Sequence, residues 1–547
     1  MSAMRDRLSA TAVLVSLALI GAGWTWALGW RRSYPISLAD PADSLWNHID
    51  PLVWIGIALA GVALVIVAAG RANPVVSLAA TIGFALAYSS PSFLRFVAGS
   101  DTAGVIALTE GWLATGSMDV GLHRYLQWPV TFVALGAIST AAGLPVETAA
   151  HLAFFMIVVW IAVALFACFG GDSRAAVGVA LFLIVATPFL NWQLSPQTLA
   201  FAMFVTLVAL GKHRSVRVVI LSVGILAVLA LTHPFVGFWF LGYALVMAAL
   251  QWWRQSILGR PADDGWTLSP VLVTAVLLAT VAYVATSLVR DVAAAVQHIG
   301  AALETGGSIL TASGVGTVGT GDPASPIYRL TVVAAALSVV LAALVTAGGL
   351  ALAARQRVGR ATDVALIATG AVHFATGVVA PVLGGRGLQV LALGLPWGVR
   401  TLLDGRRAIR LAAKAAIVTS ILCSTALVAA GTRRDTRYMT PDLVAAGSAA
   451  TSRMTTAGMR VFGPGVAMGY AALKAPVRVD VLNPRATTAA ELFDPRQRPS
   501  LVLSSVELAI ELERVPGLER PSDYLDYLAR FYAPVETVGG ATVWVLR

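Results

Sequence analysis

Between Pro91 and Gly143 the chain carries its densest set of chemically useful side chains. Asp101 comes first. It closely follows an apolar run and heads a second one, Thr102–Gly116, in which Val105, Leu108 and Trp112 share one face and Thr109 and Glu110 lie off it. Asp119, His123, Arg124, Tyr125 and Gln127 come next. A carboxylate in the place of Asp101 can take a proton from an acceptor hydroxyl or hold a divalent cation. The plainer role for Ser100 or Asp101 is to cap a helix start, and the two roles are compatible.

Positive and donor groups recur at other breaks between apolar runs. His233 lies in Leu231-Thr232-His233-Pro234 and Arg386 in Gly384-Gly385-Arg386-Gly387. Both suit a lipid phosphate, held by charge-assisted hydrogen bonds. The plainer roles are a hydrogen-bonded turn for His233 and snorkelling to the interface for Arg386. Gln193, Ser195 and Gln197, beside Trp192, have the amides and the aromatic that hold sugars, set against simple turn chemistry around Pro196. Asp40, Asp43, His48 and Asp50 form a second acidic patch whose spacing matches no standard metal-ligand set. His151 and His373 take no assigned role.

What must position these groups is a membrane bundle. Of 547 residues, 58% are hydrophobic and 12% are charged, about half the charge of a soluble domain. Mean hydropathy is +0.79. The net charge of +10 lies largely in short loops, where it sets orientation, so it gives no reason to expect nucleic acid. Cys168 and Cys423 both fall in apolar runs, which argues against a disulfide or a cysteine metal site. Arg5 and Arg7 precede a first apolar run without a small-residue cleavage site, the pattern of a retained signal anchor.

Apolar runs near span length are Ala10–Trp30, Pro51–Gly70, Pro74–Ser90, Trp128–Gly143, Thr148–Gly170, Arg174–Leu190, Pro196–Gly211, Val216–Thr232, Pro234–Trp253, Thr267–Val289, Leu330–Ala354, Ala361–Ala380, Leu388–Leu403 and Leu411–Ala430. Basic turns follow at Lys212–Arg217, Arg254–Arg260, Arg355–Arg360 and Arg406–Arg410. If Trp128–Gly143 crosses the membrane, all four turns fall outside; if it does not, all four fall inside. The positive-inside rule selects the second case and about thirteen spans, with a cytoplasmic N-terminus and an extracytoplasmic C-terminus. Trp128–Gly143 is then an interfacial or re-entrant helix. The segments 31–50, 91–147 and 291–328, the turns at 191–197 and 384–386, and His233 all share the outer side. Gly-rich 291–328 reads either as a lid over a site there or as a disordered connector.

Residues 1–431 therefore form a polytopic membrane domain with its candidate catalytic loop at 91–147. Residues 432–547 carry ordinary charge and no span. Strands are expected at Val479–Leu482, Leu501–Ser504 and Thr542–Leu546, and helices at Val506–Arg514 and Ser522–Phe531, which makes a small extracytoplasmic α/β domain. Gly463-Pro464-Gly465 reads as a turn. Its match to a GxGxxxG spacing lacks both a clear βαβ pattern and an acidic partner.

The order of these features resembles the GT-C superfamily of integral-membrane glycosyltransferases, which use polyprenyl-phosphate-linked sugars. The likeness rests on an acidic residue just after a span, on Glu110-Gly111-Trp112-Leu113-Ala114-Thr115-Gly116, and on Tyr125-Leu126-Gln127-Trp128-Pro129-Val130 leading into a non-spanning apolar helix. It implies a multi-pass plasma (inner) membrane enzyme moving sugar to an envelope glycan or lipid. Asp101 would be the general base or a carboxylate linked to a divalent metal, and His233 and Arg386 would hold the donor phosphate. Glu110, Tyr125, Gln193 and Gln197 would lie around the substrates. The chain departs from the pattern in having three spans before the loop and no acidic pair beside Asp101. Asp40–Asp50 thus stays a second candidate for the catalytic acid. Two other classes compete: a transporter or flippase, and an envelope-assembly membrane protein without catalysis.

Overall fold

The computed structural model describes residues 74–89, 97–98, 100–117, 128–190, 194–211, 213, 215–257, 271–279, 364–369, 393–430, 438–439, 441–482, 487–512, 517–538 and 540–547, with a few isolated positions besides. The first part is helical: α1 (Pro74–Ser89), a short strand β1 (Val97–Ala98), α2 (Ser100–Thr115), α3 (Val130–Ala142), α4 (Val146–Cys168), α5 (Ser173–Leu190), α6 (Pro196–Leu210), α7 (Val216–Thr232), α8 (Pro234–Ser256), α9 (Gly394–Leu403) and α10 (Arg407–Ala430). The second part is a small sheet unit. It contains β2 (Tyr438–Met439), α11 (Pro441–Arg453), β3 (Arg460–Phe462), α12 (Gly465–Lys474), β4 (Asp480–Val481), α13 (Ala489–Phe493), β5 (Leu501–Ser504), α14 (Val506–Leu512), α15 (Pro521–Phe531), β6 (Tyr532–Val538) and β7 (Ala541–Leu546).

Local chemistry sets the helix ends. Ser195 caps α6, accepting from the Thr198 N–H at 3.2 Å, and Pro196 opens the helix where no N–H is needed. Ser215 does the same for α7, accepting from the Val218 N–H at 3.2 Å. α7 stops at His233 because Pro234 disfavours a helical residue before it, and His233 is extended at φ −160°. Gly143 ends α3 at φ +62°, where its N–H meets Thr140 O and the Leu144 N–H meets Ser139 O, so two orphan carbonyls are satisfied.

The expected runs Pro74–Ser90, Thr148–Gly170, Arg174–Leu190, Pro196–Gly211, Val216–Thr232 and Pro234–Trp253 correspond to α1 and α4 to α8. Among the described residues, Val146–Cys168 and Val236–Trp253 are long and apolar enough to cross a bilayer. α3 has 13 residues and is therefore about 20 Å long, well short of the roughly 30 Å hydrocarbon layer. The bundle presents apolar side chains outward: Met156 on α4, Ile220 on α7, and Leu245 and Trp252 on α8 are all exposed. Inside, rings join three helices in a chain of Phe182, Phe201, Phe204 and Tyr243, with centroids 6.0 to 6.4 Å apart.

α5 and α9 meet most tightly. A Cβ on Gly178 would lie 2.5 Å from Pro396 Cα and 3.1 Å from its carbonyl oxygen. At one end of this pair Arg400 Nη1 donates to Phe169 O at 2.7 Å, its Nη2 lies 3.4 Å from Asp172 Oδ2, and Arg174 pairs with Asp404. Gly170 makes room for Arg400. Its φ is +106°, and a Cβ there would meet the guanidinium at 2.5 Å. The turns 169–174 and 404–407 thus lie at one end of the bundle, as the charge pattern expects.

The sheet order is β4-β3-β5-β7-β6, with β3 parallel to β4 and β5 and the other pairs antiparallel. The expected strands are present as β4, β5 and β7. β3 and β6 are additions. β3 has three residues, too few for a period-of-two signal, and β6 contains Pro534 beside a bulge, tolerable on an edge strand. The turn at Gly463 differs from expectation. Gly463-Pro464-Gly465 does link a strand to a helix and on to a parallel strand, a βαβ unit formed by β3, α12 and β4. The N-terminal end of α12 nevertheless holds a side chain of the protein itself: the Gly465 N–H donates to Glu511 Oε2 at 2.9 Å.

β5 is buried on both faces, and its neighbours divide by parity. Val502 joins Phe462, Leu508, Tyr524 and Tyr532 in one core. Leu501 and Leu503 join Val461 and Val543 in a core that runs on through α11 and α12 into the helical bundle. One sheet face is buried against α11 and α12, and α12 in turn packs on α2, which ties the C-terminal unit to the bundle.

Candidate active site

α2 is the element that carries Asp101. The helix begins at Ser100 and places Asp101 in its first turn, exposed, where the positive end of the helix dipole favours a carboxylate. The rest of α2 is more enclosed than a helix with one apolar face. Ala103, Val105, Ile106, Ala107 and Leu108 are buried, and so is Thr109, which donates to Val105 O at 2.8 Å. Thr109 was expected off the apolar face. It is buried because α2 is covered from two sides, by α3 and α4 of the bundle and by α12 of the sheet unit.

Three further contacts tie α2 to its neighbours. Thr102 Oγ1, one residue on, donates to Leu194 O at 3.3 Å, which brings the turn before α6 to the head of α2. That turn is capped by Ser195 and leads to Gln197, half-buried in the first turn of α6. β1, just upstream of Asp101, pairs antiparallel with β2, Val97 opposite Met439 and Ala98 opposite Tyr438. The third contact lies further along α2 and involves Glu110.

Glu110 Oε2 accepts from Lys474 Nζ at 2.9 Å and from Tyr470 OH at 3.0 Å, and Lys474 Nζ donates to Tyr470 OH at 3.1 Å. The three groups close a triangle between α2 and α12. Burial pulls the Lys474 ammonium down, but hydrogen bonds to Glu110 and Tyr470 outweigh it and hold it above its ordinary value. Burial, and then the adjacent Glu110 carboxylate, push the Tyr470 phenol up. Both groups stay protonated through neutral pH and keep their donor hydrogens there.

His233 lies between α7 and α8, partly buried. Its N–H donates to Leu229 O at 2.9 Å and its carbonyl accepts from the Val236 N–H at 3.2 Å. His151 is buried on α4 with Nε2 3.7 Å from Glu147 Oε1 one turn earlier. Tyr125, Gln193, Arg386, the Asp40–Asp50 patch, His373 and the loop 291–328 lie outside the described residues. Among the described residues no three His, Cys, Asp or Glu side chains gather into a metal-binding group.

Thr102, Tyr470 and Lys474 were not picked out from the sequence. The only available signal was compositional. Lysine occurs three times in a chain with 38 lysines and arginines together, so each lysine stands out.

No protein-family model matches the chain, and no curated protein matches it. Among solved structures the chain is similar to the crystal structure of ArnT from Cupriavidus metallidurans in the apo state. The likeness covers 85% of this chain and 96% of that chain, with 15% identity and a TM-score of 0.44. A likeness of that degree carries no argument about activity.

Proposed function

We propose that this protein is a multi-pass membrane glycosyltransferase that moves a sugar from a polyprenyl-phosphate donor to an extracytoplasmic envelope glycan or lipid. The observation that carries the reading is the setting of Asp101. It is an exposed carboxylate in the first turn of a short helix, at the end of the bundle where β1, the turn before α6 and the C-terminal unit meet. The order of sequence features that resembles the GT-C superfamily supports it, and the outward apolar faces of α4, α7 and α8 support the membrane setting. In this reading about thirteen spans place that end outside the cytoplasm, and 291–328 closes over it.

The reaction is a displacement at the anomeric carbon. Asp101 takes the proton of the acceptor hydroxyl as its oxygen bonds to that carbon. The bond to the phosphate oxygen breaks, and the electron pair leaves with the polyprenyl phosphate. Charge grows on the leaving phosphate, and Arg386 and His233 stabilise it there. Gln193, Gln197 and Tyr125 hold the sugars.

The test is transfer of labelled sugar from polyprenyl-phosphate donors in membranes holding wild-type protein or Asp101→Asn at matched levels. Removing a general base lowers transfer roughly 100- to 10,000-fold. Equal transfer by both would move the base elsewhere, with Asp40–Asp50 the next candidate.

A further inference from the structure

We infer that Glu110, Lys474 and Tyr470 are positioning residues through which the C-terminal sheet unit sets the place of α2, and with it that of Asp101. The inference rests on the catalytic reading of Asp101.

Three contacts from one unit act on one helix. β2 pairs with β1 immediately ahead of the helix. Two successive residues of α12 then reach α2. Leu473 Cδ1 comes within 3.3 Å of where a Cβ on Gly104 would stand, and Lys474 grips Glu110. Gly104 and Glu110 are about 9 Å apart along the helix. An apolar contact alone lets a helix slide or turn at small cost. A triangle of directed hydrogen bonds between one carboxylate, one ammonium and one phenol does not, because each partner is displaced from its donor or acceptor by a shift of an ångström or so. The β1–β2 pair holds the head of α2 and the triangle holds its middle, so the axial position and rotation of the first turn are both fixed. Asp101 lies between these two anchors.

The Glu110 carboxylate is thereby engaged within the protein. Its part in transfer is to hold a helix, and substrate contact falls to other groups. The C-terminal unit, whose purpose its sequence left open, acquires one: it completes the site from the side opposite the bundle.

The experiment has two arms, both on the full chain in membranes. The first compares Glu110→Gln, Lys474→Met and the conservative Lys474→Arg with wild type at equal amounts of folded protein. Glu110→Gln and Lys474→Met are expected to lower kcat about 10-fold, equivalent to about 1.4 kcal/mol, at unchanged donor KM. Lys474→Arg is expected to regain most of the loss. The second arm needs no catalysis. Asp101→Cys, in a chain carrying Cys168→Ala and Cys423→Ala, is labelled with a membrane-impermeant maleimide. Adding Lys474→Met is expected to change the labelling rate at least roughly threefold by shifting the residue's surroundings, and adding Lys474→Arg is not. Unchanged labelling overturns the inference, whether or not kcat falls. If wild-type protein transfers no sugar from any donor, the catalytic reading fails, and the labelling arm still decides whether this cluster positions residue 101.

Discussion

Two mid-helix glycines allow a sharp test of the bundle. Gly178, on α5, faces the backbone of Pro396 on α9, and Gly224, on α7, faces open space. Replacing either with alanine adds one methyl group. At Gly224 nothing lies within 4 Å of the new carbon. The substitution there removes backbone freedom from the unfolded chain and should stabilise by about 0.5–1 kcal/mol. At Gly178 the methyl would stand 2.5 Å from Pro396 Cα, where ordinary contact begins at 3.4 Å. The two helices must separate by roughly 1 Å, and a backbone atom cannot swing aside as a side chain can. Overpacking of this kind costs about 1–3 kcal/mol, here toward the upper end. Separation would also stretch the Arg400 hydrogen bond to Phe169 O and the Arg174–Asp404 pair at the end of the same interface. Thermal unfolding of purified protein, followed by tryptophan fluorescence, should therefore place Gly178→Ala below wild type and Gly224→Ala at or above it. Equal midpoints for the two variants would refute the close crossing of α5 and α9.

Other expectations follow from single contacts. Arg400→Gln loses a charge-assisted bond to a main-chain carbonyl and should destabilise by about 1–3 kcal/mol. Arg400→Lys should not restore it, because one ammonium cannot reach both Phe169 O and Asp172; unfolding midpoints check both variants. Tyr524 is fully buried, and its hydroxyl has no hydrogen-bond partner among the described residues, so Tyr524→Phe should be neutral or stabilising. Tyr532 OH donates to Pro499 O at 2.7 Å, so Tyr532→Phe should cost about 1 kcal/mol by the same measurement. Burial pushes both phenols above their ordinary value. The unfolded chain therefore ionises first. The stability these phenols contribute is complete below about pH 10 and is lost as pH rises above it, toward the folded-state values. Unfolding midpoints of the full chain should fall from about pH 10 upward, and the Phe double variant should flatten that fall.

The apolar helices were readable from sequence because length and hydropathy suffice where every backbone group must be bonded within its own segment. Their ends were readable to within a few residues wherever Ser, Pro or Gly marked them, as at Ser195-Pro196 and His233-Pro234. β4, β5 and β7 were readable from their β-branched content. β3 and β6 were not, since one is three residues long and the other is an edge strand interrupted by Pro534. The helix start at Asp101 could be read because it stands at a break in pattern. Its support could not. A helix side chain such as Glu110 gives no local hint that its partners lie 360 and 364 residues further on, and Thr109 looks polar in sequence yet is buried by an element that a one-face reading of α2 leaves out.

The join between β1 and β2 has a consequence for how the molecule is made. The strand ahead of Asp101 pairs with one that leaves the ribosome long after it, and the Glu110 partners emerge later still. Until then α2 lacks the neighbour that covers its second face. A nascent chain ending near residue 431 would hold α1 to α10 and still lack the neighbour on the second side of α2. The Glu110 contacts can form only once the chain has been made past Lys474. Loss of the stretch that holds β2 and α12 would strip α2 of its second neighbour while leaving α3 to α10 in the chain.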